Sequence, residues 1–162
     1  MADTTLVAHE PRGWLRWALR FPIILYRMRL GWLLGGRFML IHHTGRKTGQ
    51  PHQTVVEVVA HNKDSDTYYV ASGWGYKSNW YLNLMAHPET TIQVGTRRLA
   101  VNAENLSGDA AAHLLVEYRE KHAFAAKELG RFMGLDIGHA TESELRTIVR
   151  DSLPLVAFRR WG

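Results

Sequence analysis

The chain has no cysteine. Disulfides, thiolate metal sites and cysteine nucleophiles are therefore excluded, and a reducing compartment is compatible with the composition. Long apolar runs are missing as well. No stretch of about 18 uncharged apolar residues occurs, so no transmembrane helix is expected. The opening MADTTLVAHEP has neither a basic start nor an apolar core, so it does not read as a signal peptide and the cytoplasm is the default expectation. The most telling scarcity is negative charge near the N-terminus. Residues 11–56 hold eight Arg or Lys and no Asp or Glu, while the remainder holds twelve basic and fifteen acidic residues. Such asymmetry points the N-terminal third at something negative: a phosphate-bearing ligand, a membrane surface or nucleic acid.

What is present fits one domain with one real core, since the chain runs to 162 residues. The segment PRGWLRWALRFPIILYRMRLGWLLGGRFMLIHH comes first. In it Arg12, Arg16, Arg20, Arg27 and Arg29 are interleaved with Trp14, Trp17, Phe21, Tyr26 and Trp32. Trp14, Trp17 and Phe21 recur at helical spacing and Pro22 breaks the run. Two readings of residues 1–36 stand side by side. Arginine snorkels and tryptophan favours the headgroup region, so residues 11–35 suit the surface of a membrane, with the protein peripheral at its inner face. Alternatively, they form a helix packed on their own domain or on a partner subunit. Arginines alternating with bulky apolar residues form no polar stripe, so nucleic acid is not expected.

Strands are expected at Arg37 to His43, at TVVEVVAHN (54–62) and at TYYVASG (67–73), the last two joined by the polar turn KDSD. SNWYLNLMAHP (78–88) reads as a short helix with a serine cap and a proline stop. TTIQVGTRRLAVNAENL (90–106) reads as a hairpin turning near Gly95–Thr96. An alanine-rich helical stretch over 107–129 breaks near His122, Thr141 and Glu144 make a capping box, and LPLVAFRRW (153–161) is a closing strand. The sum is α+β: a small closed or split barrel of about six mostly antiparallel strands over 37–162, with flanking helices.

Two stretches carry candidate chemistry. In HHTGRKTGQPHQT (42–54), Gly45 and Gly49 permit positive φ, which would let successive N–H groups point at one anion. Arg46 and Lys47 supply a planar fork and a point charge, and Thr44 and Thr48 add hydroxyl donors. The P-loop spacing is absent and a strand follows instead of a helix. On charge alone a solvated basic hairpin loop explains the same residues. In ASGWGYKSNWYLNL (71–84), glycines at 73 and 75 let a flat ligand approach the backbone, Lys77 biases the site toward anions, and Trp74 and Trp80 offer aromatic walls. Trp80, Leu82 and Leu84 read equally well as core. Free N–H groups near Ser78 to Trp80 favour an anion at the helix start. The nine histidines form no metal-ligand spacing, and adjacent His42 and His43 point to opposite strand faces, so no metal is expected. No serine sits in a nucleophile elbow.

HTGRKTGQPHQT followed by YYVASGWGYKSNWYLNLMAHPETTIQVG resembles the deazaflavin-dependent nitroreductase family, actinobacterial split-barrel oxidoreductases that use reduced coenzyme F-420. The match runs from roughly Phe38 to Leu106. The resemblance implies a split barrel that holds the deazaflavin in a groove, with the phosphate and polyglutamate tail on the basic loop. Arg46, Lys47 and Thr48 would grip that tail. Ser72, Gly73, Trp74 and Gly75 would line the ring with their backbone, and Trp80 and Tyr81 would stand at the ring or substrate side. His52 occupies a place where relatives often have arginine, and Gly73 one where some have lysine, with Lys77 nearby. The implied reaction is hydride transfer to a lipophilic acceptor such as a quinone or nitroaromatic. Tyr81, Tyr76 and Ser72 are the candidate proton donors. A lipid or fatty-acid carrier on the same barrel is the alternative from another class, and a relative binding a riboflavin-type coenzyme or haem is a third. A homodimer is compatible with either use of residues 11–35.

Overall fold

A computed structural model describes residues 36–106 and 108–161. The N-terminal segment expected over 1–36 lies almost wholly outside the described residues. Six strands are present: β1 (Phe38–Thr44), β2 (Pro51–Asn62), β3 (Thr67–Ala71), β4 (Glu89–Val94), β5 (Arg97–Asn105) and β6 (Leu155–Arg160). Every pairing is antiparallel, and the sheet closes in the order β1-β2-β3-β6-β5-β4. The described helices are a 3-10 turn (Gly75–Lys77), α1 (Asn79–Ala86), α2 (Gly108–Lys121), α3 (Ala123–Met133) and α4 (Glu142–Asp151). The α+β barrel expected from the sequence is the fold observed. Strand limits differ by a few residues from those expected: β2 begins already at Pro51, because the edge of the hairpin pairs Thr44 with Pro51.

Alternation along the strands divides the apolar residues between two cores. Met39 and Ile41 of β1, Tyr68 and Val70 of β3, Ile92 and Val94 of β4, and Val156 and Phe158 of β6 fill the barrel. Trp80, Tyr81 and Leu84 of α1 join them, so α1 closes one end of the barrel like a plug. Outward-facing Leu155 and Val59 instead meet Ala111, Leu115, Tyr118, Leu145 and Val149 of the helical layer. Val59 sits where the β2–β3 register shifts, between Val58 opposite Val70 and Ala60 opposite Tyr69. That extra residue is a β-bulge, and it bends β2 at the contact with α2.

Strand direction decides which connections meet. With neighbouring strands antiparallel, the β1–β2 loop, the segment after β3, α1 and the end of β5 all gather at one end of the barrel. The β2–β3 turn and the β4–β5 turn gather at the other. There Asp66 takes a two-pronged contact from Arg97, at 2.6 and 3.0 Å, and a 3.0 Å hydrogen bond from His61. Arg160 approaches the same carboxylate at 3.5 Å. These bonds hold the Asp66 carboxyl well below the usual carboxylate range. Asp66 also has φ of 49°, a left-handed conformation that aspartate tolerates better than most side chains. The cluster ties the β2–β3 turn to β5 and β6, far from the end where the candidate loops meet.

The helical layer matches its sequence signals. The break near His122 separates α2 from α3, and α4 carries the full capping box, with Glu144 N–H on Thr141 Oγ1 at 3.2 Å and Thr141 N–H on Glu144 Oε2 at 2.6 Å. The chain reverses after α3 at Gly134, where φ is 68° and Leu135 N–H returns to the Gly130 carbonyl at 2.7 Å. At Gly130 the constraint is space. A Cβ there would lie 2.5 Å from the Leu135 carbonyl oxygen and 3.2 Å from the Ile137 amide nitrogen. Backbone cannot yield as a side chain does, so Gly130→Ala is expected to lower stability by about 1–3 kcal/mol in a denaturant titration. An unchanged midpoint would show that the α3–α4 connection is not held this tightly.

Candidate functional site

Loop 45–50 joins β1 to β2 and is built around its two glycines. Gly45 N–H donates to the Gln50 carbonyl at 2.8 Å, and Gly49 N–H to the Gly45 carbonyl at 2.8 Å. Gly49 needs its glycine for conformation, with φ of 71°. At Gly45 a Cβ would lie 2.6 Å from Thr48 Oγ1 and 3.2 Å from His52 Nε2, so these exposed side chains would have to turn aside. The expectation that both glycines adopt positive φ is corrected for Gly45. The expected nest of backbone donors is corrected too. The N–H groups of Gly45, Arg46, Gly49 and Gln50 are all bonded within the protein, which takes these four away from an anion and leaves a larger share to the cationic side chains.

Arg46 does not wave in solvent. Its backbone N–H donates to Asn83 Oδ1 at 3.1 Å, and its Nη1 donates to Asn83 Oδ1 at 2.9 Å and to Asn79 Oδ1 at 3.3 Å. The loop is thereby fastened to α1. Asn83 Nδ2 in turn meets His43 Nδ1 at 3.0 Å, and His43 Nε2 meets Thr54 Oγ1 at 3.0 Å. His43 and Asn83 are both buried, and the His52 ring stacks on His43 with centroids 5.6 Å apart. Lys47, Thr48 and His52 are exposed around this anchor. Sequence reasoning assigns no part in the site to His43, Asn79 or Asn83. The available signal is Asn83 itself, a polar residue set between Trp80, Tyr81 and Leu84 on a helix that must bury an apolar face.

The second stretch turns directly after β3. Ser72 N–H donates to the Pro154 carbonyl at 2.9 Å, and Gly75 N–H to the Ser72 carbonyl at 2.9 Å, with φ of 75° at Gly75. Ser72 is fully buried, and its hydroxyl donates to the Gly75 carbonyl at 2.9 Å. That bond commits the hydroxyl to the turn, so the proton-donor part expected of Ser72 would require the turn to open. Gly73 has ordinary backbone and open space, since a Cβ there would meet only Leu129 Cδ1 of α3, at 3.8 Å. The helix start expected to receive an anion is partly closed, since Ser78 N–H returns to the Gly75 carbonyl at 3.3 Å. Lys77 is exposed beside it. Trp80 is 4% exposed and packs in the barrel core, the position its core reading expects.

The two tyrosines stand edge to face, with centroids 5.5 Å apart. Tyr76 donates its hydroxyl proton to the Val149 carbonyl at 2.7 Å, and Tyr81 to Asn105 Oδ1 at 3.2 Å. Burial raises the hydroxyl pKa of each above the ordinary tyrosine value, so both are protonated at neutral pH. A cleft of about 510 Å³ opens at Tyr76 and Asn105 and is walled by Arg146, Thr147 and Arg150 of α4. Arg146 is already paired with Asp109 at 2.7 Å and with Glu142 at 2.8 Å, and Arg150 with Asp151 at 2.7 Å. Among the described residues, no group of three or more His, Cys, Asp or Glu is placed to hold a metal ion.

The antiparallel six-stranded barrel is a fold shared with solved structures of flavin- and deazaflavin-linked proteins. The structure of an F420-H2 dependent reductase (FDR-A) shares it, with a TM-score of 0.51 at 20% identity over 76% of this chain and 94% of that one. So does a pyridoxamine 5'-phosphate oxidase-related, FMN-binding protein of Nostoc punctiforme, with a TM-score of 0.55 at 14% identity over 95% and 82% of the two chains. The family model described as F420H(2)-dependent quinone reductase matches residues 26–128, and the chain belongs to that family. An F420H(2)-dependent quinone reductase of Mycobacterium tuberculosis is 36% identical over 69 residues, 41% of this chain and 44% of that protein. The matched stretch thus spans about half the length of such curated relatives.

The histidine beneath the loop makes the site sensitive to acid. Burial, with His52 and His42 as like charges nearby, holds the His43 imidazole at about 4, against 6.5 for a free one. Between those values the unfolded chain binds a proton that the folded one refuses. The resulting stability is complete above about pH 6.5 and is lost as pH falls toward 4, amounting to at most about 3 kcal/mol. Urea titrations across this interval should show a shallower pH slope for His43→Gln than for the unaltered protein. Equal slopes would mean that His43 is not held neutral.

Proposed function

We propose that the chain binds coenzyme F-420 and reduces a lipophilic acceptor such as a quinone or nitroaromatic at the expense of the reduced coenzyme. The observation that carries this is the pinned Arg46 in a loop free of carboxylates, at the same end of the barrel as the open turn at Gly73. Family membership supports the same reading. The tail of the coenzyme carries phosphate and glutamate carboxylates, which suit Arg46, Lys47 and Thr48, with His52 at the edge of the loop. The ring suits the backbone strip from Ser72 through Gly73 and Trp74 to Gly75, with Lys77 at its exit. When bound, the reduced deazaflavin supplies the hydride.

The protein's own share is to orient ring and acceptor, exclude water and supply the accompanying proton. Tyr81 is the donor we favour. Its hydroxyl lies behind Asn105, which lines the cleft and is a side chain that can rotate away, whereas Tyr76 donates to a backbone carbonyl. Leu129 borders Gly73, giving the turn an apolar flank fit for a lipophilic acceptor. Such an acceptor also gives residues 11–35 a use at the membrane surface.

Titration with F-420, followed by quenching of its fluorescence, should show micromolar-range binding, and menadione should drive oxidation of the reduced coenzyme. Arg46→Ala is expected to weaken binding about tenfold, the scale of one lost charge-assisted pair. Gly73→Lys should fold normally, because the site has room for a side chain, and should tighten binding by adding a cation. Absence of quenching by F-420 would overturn the assignment. For the membrane surface, liposome flotation of the full chain against one lacking residues 1–34 is decisive, and equal partitioning would remove that role.

A further inference from the structure

The hydrogen-bond directions beneath loop 45–50 determine one another. Asn83 Oδ1 accepts two donors from Arg46, its backbone N–H at 3.1 Å and its Nη1 at 2.9 Å. A carbonyl oxygen must therefore face Arg46, which turns the Asn83 amide nitrogen toward His43 Nδ1, 3.0 Å away. An amide N–H can be received only by a bare ring nitrogen. The ring proton of His43 consequently sits on Nε2, aimed at Thr54 Oγ1 at 3.0 Å. The charged or titratable groups around the ring are His42 on β1, His52 on β2 and Arg46 on the loop; the facing groups of β2 and α1, Thr54 and Asn83, are neutral. No carboxylate stands among them to stabilise an imidazolium. With Nη1 occupied by Asn79 and Asn83, the Nε–Nη2 edge of Arg46 is taken by no described residue.

We propose that His43 is a positioning residue of the anion site: its neutral ring orients the Asn83 amide, and the amide pins Arg46 so that the free edge of the guanidinium is a ready-made fork for a phosphate or carboxylate. This rests on the tail site assigned above. A pinned arginine has already lost its rotamer freedom before a ligand arrives, so less affinity is forfeited on binding. Protonated His43 would confront the Asn83 N–H groups with a third donor. The amide would then have to invert and present N–H to the N–H groups of Arg46, releasing the fork.

The test compares F-420 with 8-hydroxy-5-deazariboflavin, the same chromophore without phosphate or glutamates. His43→Phe should lose about fivefold in F-420 affinity while binding of the tail-free chromophore is unchanged, the order of effect expected from freeing one long side chain. His43→Gln, whose carbonyl accepts and whose amide donates as the ring does, should restore the affinity. Arg46→Ala combined with His43→Phe should bind F-420 no more weakly than Arg46→Ala alone. Equal losses for both ligands, additive losses in the double variant, or no loss in His43→Phe would each overturn the proposal. A further measurement needs no variant: ¹⁵N spectra of the histidine rings at pH 7 should show His43 protonated at Nε2 and bare at Nδ1. A proton on Nδ1 would overturn the proposal even if all substitutions unfolded. Failure of the unaltered protein to bind F-420 would instead sink the functional assignment and leave the tautomer result standing.

Discussion

Closure of the sheet between β1 and β4 is the constraint on which the site depends. β1 pairs along its whole length with β2 and, from Met39 to Ile41, with β4 on its other edge. A strand held on both edges has no freedom to slip, since a one-residue shift would carry Met39 and Ile41 out of the barrel. Its last residues, His43 and Thr44, are therefore placed as firmly as its first. The loop that follows inherits that position. Closure also requires something to fill the barrel end, and the connection from β3 to β4 supplies α1, whose Trp80, Tyr81 and Leu84 enter the core. The polar residue left on that helix, Asn83, then stands under the loop.

Burying Asn83 and His43 is costly unless every polar atom finds a partner. Here each does, and among the described residues no buried side-chain nitrogen or oxygen is left without a hydrogen bond. The same requirement that keeps the network intact fixes the histidine tautomer and the direction of the asparagine amide. Stability and function use different ends of the barrel. The Asp66 cluster knots the turns at one end, where the cations share one carboxylate, while loop 45–50 has no carboxylate of its own. A cation in an acid-free loop costs self-repulsion, which an anionic ligand relieves.

Much of this is legible from residues in a row. The six strands, the break at His122, the capping box and the turn at Gly95 all follow from periodicity, caps and turn chemistry within a few residues of each other. The basic loop is legible from composition, and its kinship from the motif TGRKTG and the following WYLNL. The ambiguous residues share a cause. Trp80 reads as ligand wall and as core alike because an aromatic on a short helix looks the same in either role, and the structure packs it in the barrel core. Gly45 invites an explanation by conformation, yet its φ is not positive and its nearest neighbours are the Thr48 and His52 side chains. Ser72 suggests a proton donor because its partner, the Gly75 carbonyl, depends on how the turn folds. Asn83 stands out in the sequence only as a polar residue on an apolar helix face; its pairing with Arg46, 37 residues away, and the parts of His43 and Asn79 follow from no local pattern.

The amino-acid sequence by itself determined that this is an antiparallel α+β barrel with a cationic loop suited to an anion, because side-chain alternation, caps and net charge are properties of short stretches. Tertiary structure alone decided how that loop is held. Hydrogen-bond direction is set by three-dimensional placement: with the Asn83 amide between Arg46 and His43, each of the three has one orientation that leaves no donor facing a donor.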